Sequence, residues 1–343
     1  MRKPGPNQRI GVINALRAFA AIAVAWGHFV AGQGKYLGLS GKYGYLGVDI
    51  FFVISGFVIP WSLHRAHYVL RDYPRFMLKR NLRLYPPYLA SIAVTILAIN
   101  FVLAPVLHIP RMIVTGRDLL LHSAYLNDLV GVRWINVAYW TLAIEFQWYL
   151  LVGLMLPLLA NSRRLVRLAG IVAMTIAYFA FPYSRLVAHH LPVFLIGVFV
   201  FQYRARLIGL REMLGLILVM VLAMLGPLGW IVAAVSVSTG LLIALSAFHN
   251  RAMDRVGDVS YSLYLLHLPI GVGVIGGLSH WLPYSGSYIA VLDVIGLAAS
   301  GGMAWIMYQI VEKPSQNMSS AIRFAYRGIE RATSPAIATA SAE

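Results

Sequence analysis

Ten predominantly apolar stretches recur along the chain, at 10–31, 46–63, 84–106, 138–159, 168–183, 189–203, 213–226, 229–248, 259–279 and 288–311. About 20 apolar residues rising 1.5 Å each cross a hydrocarbon core of about 30 Å, so most of these runs read as membrane helices. The expected fold is all-α, a polytopic membrane bundle of about ten transmembrane helices. The runs at 168–183 and 213–226 are short for a crossing and leave room for tilted or re-entrant segments. Most of the 28 Lys and Arg fall in alternate connections, chiefly 64–83, 160–167, 204–211 and the two ends. The side richer in Lys and Arg is the cytoplasmic one, which predicts both termini inside.

Two ionisable residues interrupt the first run. Arg17 and His28 are eleven positions apart, which on a helix is three turns plus roughly 20° and about 16 Å of rise. They share one face, one near each end. Charge in a membrane helix is costly and faces the bundle interior or a water-filled cavity, so the pair predicts a polar path through the protein.

Composition changes the picture little. Hydrophobic residues make up 59% and charged residues 12% of the 343, mean hydropathy is +0.73, and no length remains for a separate soluble domain of ordinary size. The reading is one membrane domain over 1–314 and a cytoplasmic tail over 315–343, partly disordered, in which Arg323, Arg327 and Arg331 allow a short surface helix on membrane lipid. The net charge of +16 reflects topology rather than nucleic-acid binding. The basic N-terminus before an apolar run is read as an uncleaved first helix. With no cysteine, thiol nucleophiles and cysteine-ligated metals are excluded. The histidines of the connection 107–137 show no metal-ligand spacing.

Further candidates follow in chain order. Asp49 opens the second run at a depth expected to match that of His28; it either caps the helix N-terminus or orients that histidine. Arg80 and Arg83, three residues apart at the end of the basic stretch 64–83, share a face and suit phosphate oxygens, unless they serve topology alone. Pro86 and Pro87 are expected to break or tilt the helix start. The connection 107–137 is the longest on the outer side, an acceptor-facing lid whose histidines are expected to be solvated. Glu145 lies about two turns into the fourth run among Trp140, Phe146, Trp148 and Tyr149, either as a hydrogen-bond anchor or beside a carbohydrate-facing cleft. Tyr261, Tyr264 and His267 recur along one helical face.

These motifs resemble a known family. Arg17 and His28 with ten residues between them, GVDIFFVISGF, RNLRLYPPY, WTLAIEFQWY, GDVSYSLYLLHLP and a closing VEKP stand in the order found in the membrane acyltransferase family three, from about residue 10 to 314. The resemblance implies a multi-pass protein of the bacterial inner membrane that O-acylates carbohydrates or glycolipids, with acyl-CoA (acetyl-CoA) as donor and no metal. It implies coenzyme A phosphate binding at Arg80 and Arg83, with Arg17 guiding the inner end of the path. Trp140, Tyr149, Tyr261 and His267 would line the acceptor cavity. His28 would be the general base, and Asp49 or Glu145 would fix its tautomer, as in a hydrolase triad without its serine. No Gly-x-Ser-x-Gly elbow is present, so direct transfer is expected, with a transient acyl-histidine left open. The rival is a proton-coupled transporter using the same residues as a relay; it predicts inverted repeats, and the two halves show none.

Overall fold

The computed structural model describes residues 11–324 apart from 32–34, 247, 280 and 282–286. Every described element is a helix. The chain runs through α1 (Gly11–Val30), α2 (Gly47–Arg65), α3 (Tyr73–Leu97), α4 (Trp140–Leu159), α5 (Arg164–Ala180), α6 (Val187–Arg204), α7 (Leu210–Met224), α8 (Trp230–Leu245), α9 (Ser260–Ser279) and α10 (Ser287–Met307). Each of the ten apolar runs thus forms a helix. Among the described residues, six stretches are long and apolar enough to cross a membrane, containing α1, α2, α3, α4, α9 and α10. The 15 residues of α7 span about 22 Å, short of a full hydrocarbon core.

Three expectations are corrected. The third helix starts at Tyr73, so Arg75, Lys79, Arg80 and Arg83 are helical. Pro74 sits in its first turn, where the missing N–H costs nothing. Pro86 and Pro87 lie inside the continuous helix, whose exposed flank and packed neighbours tolerate the loss of two backbone donors. The first two helices do not form a hairpin joined at their tips. Segment 38–46 packs beside α1, and an added Cβ at Gly47 would stand 2.5 Å from the Ala20 carbonyl. Since Ala20 precedes His28 by eight residues, or about 12 Å, Asp49 enters its helix well below His28.

Glycine sets the central crossing. A Cβ at Gly56 of α2 would lie 2.1 Å from the Phe194 carbonyl oxygen, and one at Gly197 of α6 would lie 2.2 Å from that of Val53. The backbones touch, as small residues permit between membrane helices, and Phe194 stacks on Phe52 and Trp148 beside the contact. Gly56→Ala is expected to cost about 1–3 kcal/mol, seen as a lower unfolding midpoint in detergent. Gly215→Ala, where nothing stands within 4 Å, leaves the midpoint unchanged or raises it.

Beyond α10, a π-helical turn (Tyr308–Glu312) leads into the helix Lys313–Ala321, which packs on α3 through Ser319 Oγ donating to the Lys79 carbonyl at 2.8 Å. Arg327 and Arg331 lie outside the described residues.

Candidate active site

A cavity of about 470 Å³ opens among α1, α2, α3, α4, α9 and the segment after α10. Along α2 it is lined from Val48 to Trp61, thirteen residues or about 20 Å. Arg17, Arg80 and Arg83 face it, as do Glu145, Asp258 and Glu312, with Tyr149 and Tyr261 on the walls. Three guanidinium groups from two separate helices therefore converge on one space.

Arg80, Glu145, Tyr149, Tyr261 and Glu312 are each held by an identifiable partner. Arg80 lies over the rings of Phe76 and Tyr149 at 5.7 and 5.5 Å and reaches Ser62 Oγ at 3.4 Å. Glu145 Oε1 accepts from Ser55 Oγ at 2.8 Å and from the Tyr149 hydroxyl at 2.5 Å. Tyr149 is one turn further along α4, so the second bond is an i,i+4 pair. Buried Glu312 accepts from Ser262 N–H and Oγ at 3.2 and 2.6 Å and from Gln316 Nε2 at 2.9 Å. Tyr261 donates to the Leu84 carbonyl at 3.1 Å. Arg17 lines the cavity and forms no ion pair within 4.0 Å among the described residues.

Towards the Val48 end the cavity closes on Phe52, Thr141 and Tyr264. The Tyr264 and Thr141 hydroxyls are 2.6 Å apart, and the Tyr264 ring stands edge-on to Phe51. The Tyr264 ring stands 5.8 Å from the imidazole of His267, and His28 lies one ring further on, its Nδ1 3.0 Å from His267 Nε2. His28 is exposed and His267 fully buried.

Of the ten residues singled out in the sequence, Arg17, Arg80, Arg83, Glu145, Tyr149 and Tyr261 meet in the cavity. His28 and His267 meet each other outside it. Trp140 stands apart, its ring 6.0 Å from that of His190. Asp49 lies in the first turn of α2, whose N-cap residue is Leu46. Among the described residues neither Asp49 nor Glu145 hydrogen-bonds to His28; shared depth along two helices leaves their rotation unspecified, and Asp49 does not share that depth. Ser55, Asp258 and Gln316 were not anticipated in the cavity. Ser55 had a signal in its position two turns below Asp49, but the neighbouring Gly56 makes helix packing the simpler reading of both.

The family model described as "Acyltransferase domain" matches residues 10–307. The chain belongs to acyltransferase family three. Among its relatives, Nodulation protein 10 of Rhizobium leguminosarum bv. viciae is 24% identical over 90% of this chain and 93% of that one. A putative acetyltransferase, ORF330, of Acidianus two-tailed virus is 25% identical over 77% and 84%. The O-acetyltransferase OatA of Staphylococcus aureus (strain NCTC 8325 / PS 47) is 26% identical, covering 88% of this chain and 56% of its own length. No solved structure is significantly similar to the chain. With six apolar helices, membership of this family makes the protein a multi-pass membrane acyltransferase, and it favours that reading over the transporter.

The connection 107–137 carries a second ordered centre. Thr115 and Asp118 form a reciprocal capping box at the helix Gly116–Ser123, and the Thr115 N–H and hydroxyl hold the Asp118 carboxyl below its ordinary pKa. His122, expected to be solvated, is 1% exposed. Its Nδ1 donates to the Asp118 carbonyl at 2.6 Å, and its Nε2 accepts from Ile135 N–H at 2.9 Å. Both nitrogens are committed in the neutral form, and burial lowers the His122 pKa below its ordinary 6.5. The unfolded segment then binds the proton more readily, so stability falls as pH drops through about 6.5 and is fully present above it. Amide exchange across 116–136, corrected for intrinsic rates, is expected to accelerate between pH 7.5 and 5. His122→Phe should remove most of that pH dependence and, by leaving Ile135 N–H unpaired, cost about 1–3 kcal/mol at neutral pH.

Proposed function

We propose that this protein transfers an acyl group, acetyl first among the candidates, from cytoplasmic acyl-coenzyme A to a hydroxyl of a carbohydrate or glycolipid at the outer face of a bacterial inner membrane. The observation that carries the reading is the convergence of Arg17, Arg80 and Arg83 on one deep cavity whose Tyr264 end leads through His267 to His28. Coenzyme A offers phosphates at one end and a thioester at the other. Arginine is the side chain suited to phosphate oxygens, and the volume falls in the usual range for small-molecule sites, about 300–1,000 Å³. In this reading all ten helices count towards the membrane domain, both termini are cytoplasmic, and the Arg80–Arg83 end of the cavity faces the cytoplasm.

The chemistry balances without a covalent enzyme intermediate. Neutral His28 takes the proton of the acceptor hydroxyl as its oxygen attacks the thioester carbonyl. The carbon–sulfur bond breaks, and the departing thiolate recovers a proton from the imidazolium. Glu145 and Glu312 offset the arginine charge and hold Ser55, Tyr149 and Ser262 in place, which makes them positioning residues for the donor rather than for His28. Tyr264 and then His267 separate the cavity from the base, so the thioester arm has to displace the Tyr264 ring to reach it. Asp49 is left with the electrostatics of the α2 N-terminus.

The test is the ester itself. Mass spectrometry of envelope carbohydrates from cells with and without the protein should show base-labile acyl esters only with it. Unchanged ester content, with the protein present in the membrane, would overturn the acceptor assignment.

A further inference from the structure

We infer that His267 is the positioning residue that fixes the tautomer of His28, and that a proline sets the tautomer of His267 in turn. The inference rests on the reading of His28 as general base. His267 is the first residue of a π-helical turn, His267–Val272, that includes Pro269. Proline has no N–H. In α register residue 269 would serve the Leu265 carbonyl, and in π register that of Tyr264. Side chains take both carbonyls instead: Asn136 Nδ2 donates to Leu265 at 3.2 Å, and His267 Nδ1 lies 2.7 Å from Tyr264 O.

A carbonyl only accepts, so Nδ1 of His267 carries the proton. In a neutral imidazole Nε2 is then the acceptor. That Nε2 is 3.0 Å from His28 Nδ1, and two lone pairs cannot face each other at that distance, so His28 carries its proton on Nδ1. Its basic nitrogen is Nε2, on the far edge of an exposed ring. This is the nitrogen that has to be proton-free to take a hydroxyl proton. His267 does for His28 what a carboxylate does in a hydrolase triad, without burying an anion in the membrane, where charge is expensive. It also accepts the hydrogen bond that strengthens when His28 becomes imidazolium.

The experiment compares His267→Phe, His267→Gln and His28→Ala at equal membrane abundance, with acetyl-CoA as donor and envelope carbohydrate from the producing cells as acceptor. His267→Phe should lower turnover at saturating acetyl-CoA by roughly 10- to 100-fold, less than loss of the base itself, with the donor Michaelis constant within about twofold. His267→Gln, which keeps a side-chain acceptor, should recover part of it. Nitrogen-15 histidine spectra in lipid, with His28 assigned by its loss in His28→Ala, should show the Nδ1–H tautomer in the wild type and the Nε2–H tautomer in His267→Phe. Wild-type turnover in His267→Phe, or an unchanged His28 tautomer, would overturn the inference. If His28→Ala is itself active, the general-base reading fails, and the tautomer spectra still decide the pairing separately.

Discussion

Replacing His28 by Ala is expected to abolish acyl transfer while the protein remains inserted and folded. The substitution removes an exposed ring at the end of α1 and its hydrogen bonds to His267 and to the Val24 backbone, so its cost in stability is about 1–3 kcal/mol. Its cost in rate is of another order, because a positioned general base supplies roughly 10²–10⁴-fold. The acetyl-CoA Michaelis constant should hardly move, since the arginines that grip the donor begin three helical turns away. Activity within a few-fold of wild type at matched abundance would remove His28 from the chemistry. His28→Gln is the companion variant: it keeps the bond to His267 but cannot shuttle a proton, and is expected to be as inactive as the alanine form.

Helical arithmetic made half of this site legible. Separations of eleven positions from Arg17 to His28, and of three from Arg80 to Arg83, fix shared faces whatever the helices pack against, and Arg17, Arg80 and Arg83 converge on the cavity. Partners across the bundle follow no such arithmetic. His28 and His267 are 239 positions apart, and Ser55 and Glu145 are 90 apart; their meeting depends on crossings such as that of Gly56 with Gly197, whose outcome no local pattern states. Depth was a weaker guide than face. It placed Asp49 beside His28 on the assumption of a tight hairpin, whereas segment 38–46 lies along α1 and lowers the start of α2 by about two turns. The π-helical turns were also invisible, because a wide turn differs from an α turn in which carbonyl is left for a side chain, not in hydrophobic period.

The same convergence predicts the second large effect, on the donor. Replacing Arg80 and Arg83 together by Gln should raise the Michaelis constant for acetyl-CoA by roughly 10²–10⁴-fold and leave that for the acceptor within a few-fold. A hydrogen bond to a charged group contributes about 1.5–3 kcal/mol, each 1.4 kcal/mol is tenfold in affinity, and two such groups are removed. Arg80 needs a control of its own, since it also packs on Phe76 and Tyr149, and its loss could loosen α3 against α4. An unfolding midpoint close to wild type separates binding from packing. Substrate variation then assigns the contacts: if the arginines hold phosphate, acetyl-dephospho-CoA, which lacks the 3′-phosphate, should bind more weakly to the wild type and lose that disadvantage in the double variant. A donor constant that stays put, or a penalty for the missing phosphate that survives the substitution, would leave Arg80 and Arg83 with membrane topology as their role and move the donor site elsewhere.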